Sequence, residues 1–291
     1  MELAGCFTAI VTPFREGRVD FTALGTLLDE QLAAGIDGIV PVGTTGESPT
    51  LDFSEHKKVV EFVAERVAGQ CKIIAGTGGN ATREAIYLTQ HAASVGVDAT
   101  LQVTPYYNKP MPEGLYRHFA TVADEGGLPI VIYNVPGRTS REVDIPTIAR
   151  LAEHPGVVAV KEAGGSVERV SAILDACDIA VLSGDDSLTL PMMVVGAVGV
   201  ISVASNVLPG AMCSLVHAAL DGRWAEAQEL HRKLYPLFRD LFVETNPIPV
   251  KAGLAMLGKI EEEYRLPLTA IADGSRDVLR ASMAAAGLDL G

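Results

Sequence analysis

A chain of 291 residues, 48% hydrophobic and 20% charged, supplies a sizeable core and excludes a disordered polymer; a single large α/β domain fits that length. Its net charge of −13, with no basic stripe carrying interleaved aromatics, argues against nucleic acid as a partner. Four scattered cysteines without a CxxC pair, no basic N-terminal region and no apolar stretch longer than Pro191 to Ala204 point to a reduced, cytoplasmic protein outside the membrane.

Short strand-like runs recur at the spacing of one βα unit, each followed by a helical pattern. Phe7 to Val11 comes first. Gly38 to Val42 follows, then Lys72 to Ala75, Ala99 to Val103 and Pro129 to Ile132. The sixth run, around Val157 to Lys161, carries valines and an alanine in succession and reads as a strand buried on both faces. Ile179 to Leu182 and Gly199 to Val203 complete the series. Start signals separate them: Asp20 before the first helix, Ser54 as N-cap of the second, Thr82 opening the third, and Asp144 with Pro146 in a first turn. Eight such pairs predict a (β/α)8 TIM barrel over residues 1–208, with a C-terminal helical extension over 209–291 packed on it.

Thr, Tyr, Asn, Arg and Gly cluster just after the strands, on the face where barrels carry their active sites. Only Lys72 and Lys161 touch a strand; Lys72 enters one, and Lys161 leaves one at the functional end. Burial disfavours the ammonium form, so an amine there becomes a candidate nucleophile. The plainer reading is a lysine that reaches past the strand end into water. The six histidines fall in or near helices with no close ligand pair, so no metal site is expected. No GxGxxG fingerprint accompanies a doubly wound pattern, so no cofactor is expected. A Schiff base on Lys161 needs protons moved by a nearby hydroxyl, and Tyr133 at the neighbouring strand end is best placed, with Thr44, Thr45 and Tyr107 available to extend a relay. Arg138 is suited to clamp a carboxylate. Each also has a plainer reading: a rim aromatic, a tight turn, a solvated loop arginine.

Six motifs in register carry a resemblance across essentially the whole chain: Gly43-Thr44-Thr45-Gly46-Glu47-Ser48, Val103-Thr104-Pro105-Tyr106-Tyr107-Asn108, Tyr133-Asn134-Val135-Pro136-Gly137-Arg138-Thr139, Lys161-Glu162-Ala163, Ser183-Gly184-Asp185-Asp186 and Asn246-Pro247-Ile248-Pro249-Val250-Lys251. With these the chain resembles the dihydrodipicolinate synthase family, within the N-acetylneuraminate lyase superfamily of class I pyruvate aldolases. The resemblance implies that Lys161 condenses with pyruvate and that the enamine attacks L-aspartate 4-semialdehyde, on the route to diaminopimelate and lysine. It implies Tyr133 as proton donor and acceptor with Thr44, and Tyr107 completing the relay across a subunit contact, in a homotetramer built as a dimer of dimers. Thr45 would hold the pyruvate carboxylate and Arg138 that of the semialdehyde, with Gly184 and Ile201 lining the pocket. Sugar-acid lyases of the superfamily share the lysine and tyrosine but lack the arginine. A related aldolase acting on a sugar or hydroxy-keto acid, and a catalytically silent binding subunit, remain the alternatives.

Ser48, His56, Asn80, Glu84 and Tyr106 match positions that bind feedback L-lysine in sensitive relatives, whereas Phe53 and Pro49 depart from the sensitive enterobacterial pattern. His56 and Glu84 read equally well as polar residues early in helices, where a carboxylate suits the dipole.

Overall fold

The computed structural model describes residues 3–290. Eight parallel strands close into a barrel: β1 (Gly5–Ala9), β2 (Gly38–Val40), β3 (Lys72–Gly76), β4 (Ala99–Val103), β5 (Ile130–Asn134), β6 (Val157–Glu162), β7 (Ala180–Ser183) and β8 (Gly199–Ser202), with β8 pairing back onto β1. Side chains alternate across this sheet. The inward set, including Phe7, Val40, Ile74, Leu101, Val131, Ala159, Leu182 and Ile201, packs the barrel interior. Outward residues such as Ile132 and Val160 join the larger core beneath the surrounding helices.

Those helices are α1 (Phe21–Ala33), α2 (Phe53–Val67), α3 (Thr82–Ser94), α4 (Pro112–Glu125), α5 (Ile145–Ala152), α6 (Val167–Ala176), α7 (Thr189–Val194) and α8 (Pro209–Leu220). Asp20 and Asp144 cap α1 and α5, accepting from the Ala23 and Thr147 amides. The second cap differs from expectation. Asp52, not Ser54, caps α2, because Glu55 reaches back to the Asp52 amide while Asp52 accepts from the Glu55 amide, a reciprocal pair Ser54 cannot form.

Helix α8 lies against β1. Beyond it, α9 (Trp224–Asp240) packs on α8 and on α11 (Asp273–Ala286), and α10 (Ile248–Met256) is buried throughout Ile248 to Leu254. No helix among the described residues is long and apolar enough to cross a membrane.

Two boundaries matter for the chemistry. Strand β5 runs on through Tyr133 and Asn134, beyond the expected end at Ile132. A polar residue stays in the sheet here because its amide is satisfied: Asn134 Nδ2 donates to Glu162 Oε1 at 2.9 Å, and its Oδ1 accepts from the Val143 amide at 3.0 Å. Strand β1 starts earlier and ends at Ala9, so Thr12 and Pro13 lie outside the ladder. Lys72 sits on the opposite rim, where it pairs with Asp98 at 2.7 Å.

Candidate active site

Lys161 is paired in register with Tyr133 on β5 and Leu182 on β7, and shares its inward parity with Ala159. It is buried, only 5% exposed, with Nζ 4.2 Å from the centroid of the Tyr133 ring. The strand-end lysine therefore turns into the barrel instead of reaching water. Gly184 makes room for it: a Cβ at that position would lie 3.0 Å from Lys161 Cε and 2.6 Å from Ala163 Cβ. Ile201 is fully buried in the same inner cluster as Tyr133. Glu162, next along β6, is consumed structurally by Asn134, the Gly164 amide and Arg169 Nε at 3.0 Å.

Asp185 lies on the loop after β7. Burial pushes its carboxyl up to about 6; the Lys161 charge opposes this, while Asp186 and Glu162 add to it. A carboxyl whose folded value exceeds its unfolded value stabilises the fold fully below about 3.8 and loses that contribution as pH rises through about 6. Asp185→Asn should therefore raise the melting temperature by roughly 3–6 °C at pH 8 and leave it nearly unchanged at pH 4. Thermal unfolding at both pH values checks this, and equal shifts at both would contradict it.

The loop after β2 is strained. Val42 has φ of 50° and Glu47 of 53°, left-handed conformations that are costly for non-glycine residues, above all for a β-branched one. Between them the Gly46 and Glu47 amides bond to the carbonyls of Gly43 and Thr44 at 3.1 Å each. This turn sets Thr44 half-buried, facing a cavity of about 220 Å³ whose wall also includes Tyr133, Val135 and Arg138. The size suits a small metabolite. Arg138 follows Pro136 in the short turn Pro136–Thr139; its Nη2 donates to the Asn246 carbonyl at 3.0 Å, and its other donors are available to an anion. Thr45 is not on the wall. It is buried, and its hydroxyl accepts from Asn246 Nδ2 at 3.0 Å.

Tyr107 stands apart from the cavity, 90% exposed with φ of 71°. Of the five positions matched to a lysine effector, Ser48 and Tyr106 line the cavity together with Pro49. Asn80 holds the Tyr106 carbonyl at 3.2 Å, and Glu84 is exposed in the first turn of α3. His56 is buried with Nε2 2.8 Å from the Gly76 carbonyl, and burial lowers its pKa, so the neutral ring donates from Nε2. Phe53 is exposed beside Tyr87, ring centroids 6.0 Å apart.

Sequence reading did not find the pair beneath the Thr44 turn. Lys251 on α10 and Glu47 are both fully buried and meet at 2.5 Å. A lysine inside the apolar run Ile248 to Met256 was the available signal, since a buried ammonium demands a partner. Among the described residues, no group of three or more His, Cys, Asp or Glu side chains is placed to hold a metal ion.

The model of the dihydrodipicolinate synthetase family matches residues 2–286. A curated relative from Aquifex aeolicus, named 4-hydroxy-tetrahydrodipicolinate synthase, is 53% identical over 279 residues, covering 95% of each chain. The solved 4-hydroxy-tetrahydrodipicolinate synthase of Methylacidiphilum fumariolicum SolV superposes with a TM-score of 0.97 at 50% identity, covering 98% of this chain and 96% of that one. The enzyme from Cyanidioschyzon merolae, solved with lysine bound, superposes with a TM-score of 0.94 at 42% identity over 98% of both chains. An inward lysine beside a tyrosine, a threonine turn and a loop arginine thus stand on a frame shared with these proteins from end to end, and the chain belongs to the dihydrodipicolinate synthetase family.

Proposed function

We propose that the chain is a Schiff-base-forming lyase that condenses pyruvate with L-aspartate 4-semialdehyde to 4-hydroxy-tetrahydrodipicolinate, in diaminopimelate and lysine biosynthesis. The observation that carries this is the registered pair Tyr133 and Lys161, joined on one barrel face by Thr44 and Arg138. The Lys161 amine adds to the ketone carbon of pyruvate, and the carbinolamine loses water to give an imine. A proton leaves the methyl carbon, and the enamine carbon bonds to the aldehyde carbon, whose oxygen takes up a proton. The aspartyl amine then attacks the imine carbon, closes the ring and releases Lys161. Each proton moves through a hydroxyl, for which Tyr133 and Thr44 are placed.

Gly184 leaves room beside Lys161 for a unit as small as pyruvate, with Ile201 buried in the same inner cluster, whereas Thr45, held by Asn246 off the cavity wall, supports the turn that carries Thr44. Arg138 recognises the carboxylate of the second substrate, which a polyol aldehyde lacks. Arg138→Ala should lower kcat/KM for the semialdehyde by roughly 10–100-fold and change pyruvate-adduct formation by less than about threefold. Steady-state kinetics with each substrate varied in turn checks the split; a lost pyruvate adduct with the fold intact would overturn the role.

Tyr107 projects from the subunit and serves the relay of a neighbouring copy, within a cytoplasmic homotetramer arranged as a dimer of dimers. L-Lysine acts as a feedback effector through Ser48, Asn80, Glu84 and Tyr106, with Phe53 packing on its aliphatic stem and His56 beneath. Ser48 and Tyr106 lining the same cavity as Tyr133 supports this. Titrating L-lysine against turnover should show inhibition, and full activity at millimolar lysine would remove the proposal.

A further inference from the structure

A fully buried ion pair is a poor device for stability alone, because well-packed apolar side chains of similar volume serve as well or better. The Glu47–Lys251 pair has no exposure on either side chain. Lys251 Nζ lies 2.5 Å from Glu47 Oε1, and 4.3 and 5.1 Å from the ring centroids of Phe14 and Tyr264. The second oxygen of Glu47 faces the Arg265 amide at 3.4 Å. Burial pushes the Lys251 amine below its usual value, and the Glu47 charge opposes this.

The location of the pair gives it a second purpose. Glu47 is left-handed, a conformation glycine would take without strain, and its own amide closes the turn on the Thr44 carbonyl at 3.1 Å. Its side chain is thus anchored where its backbone fixes Thr44. Lys251 belongs to the segment whose Asn246 holds the Thr45 hydroxyl and, through its carbonyl, Arg138. The threonine turn is therefore pinned at two points, by Lys251 on α10 and by Asn246 just before that helix.

We infer that Glu47 and Lys251 are positioning residues for the proton relay: their buried contact holds the left-handed Glu47 that closes the Thr44–Thr45 turn, and so sets the rate of imine formation at Lys161 without touching substrate. This rests on Thr44 acting in the proton relay proposed for the enzyme. The test is a double-mutant cycle on the full chain, with the rate of the borohydride-trapped pyruvate adduct measured in wild type, Glu47→Gln, Thr44→Val and the combined variant. Glu47→Gln should slow adduct formation roughly 10–100-fold at saturating pyruvate, while the combined variant stays within about threefold of Thr44→Val. A wild-type rate in Glu47→Gln, or losses that multiply, would overturn the inference.

The neutral pair Glu47→Gln/Lys251→Met, which leaves no lone buried charge, is measured alongside in case the single variant does not fold. The same slowing in a folded neutral pair supports the inference, and a wild-type rate in it overturns it. A wild-type chain that traps no pyruvate would sink the functional reading and the inference with it; a trapped wild-type adduct beside unaffected variants would sink the inference alone.

Discussion

Replacing Lys161 with methionine should lower turnover by roughly 10⁴-fold or more and abolish the borohydride-trapped pyruvate adduct. The substitution isolates chemistry from folding. Lys161 is 5% exposed, packed beside Tyr133 and under the close approach of Gly184, so an unbranched apolar side chain of similar length fits the same space. Replacing a buried polar side chain with an apolar one costs the fold little, and the melting temperature should hold or rise. Mass spectrometry after borohydride, with thermal unfolding alongside, reads both effects. A methionine variant that still traps pyruvate would place the nucleophile elsewhere.

Tyr133→Phe should reduce kcat by about 10²–10⁴-fold with a much smaller change in the KM for pyruvate, because it deletes a proton-transfer group and keeps the packing. Its ring fills the inner cluster with Leu101, Val131 and Leu182 and lies against Lys161, contacts phenylalanine preserves. The adduct should still form, slowly, since the amine remains. Stopped-flow or quenched single turnovers separate slow imine formation from weak binding. A phenylalanine variant with wild-type kcat would give the proton relay to other hydroxyls.

The barrel and the strand-end lysine that turns into it were legible from local pattern. Each strand is a short apolar run, and Lys161 is conspicuous as a charge at the functional end of one. What escaped was whatever depends on partners far away in sequence. The apolar run of the fifth strand ends at Ile132, yet Glu162 and the Val143 amide satisfy the Asn134 side chain inside the sheet. Asp52 and Ser54 both suit an N-cap, and only the reciprocal bond with Glu55 decides between them. Glu47 and Lys251 stand 204 positions apart, so neither side chain reveals the other until the chain folds back.

The site residues divide in the same way. Thr44, Tyr133 and Arg138 meet on one cavity wall. Thr45 is buried against Asn246, where its hydroxyl is already engaged. Tyr107 is almost fully exposed, an outcome that a run of two tyrosines cannot convey.

Pyruvate consumption by the purified protein, measured against L-aspartate 4-semialdehyde beside N-acetylmannosamine and glyceraldehyde, separates the substrates. The arrangement of Lys161, Tyr133 and Arg138 predicts turnover with the semialdehyde alone, since only that aldehyde brings the carboxylate Arg138 is placed to bind. Turnover with a sugar aldehyde and none with the semialdehyde would keep the barrel and its lysine but contradict the substrate and the role of Arg138.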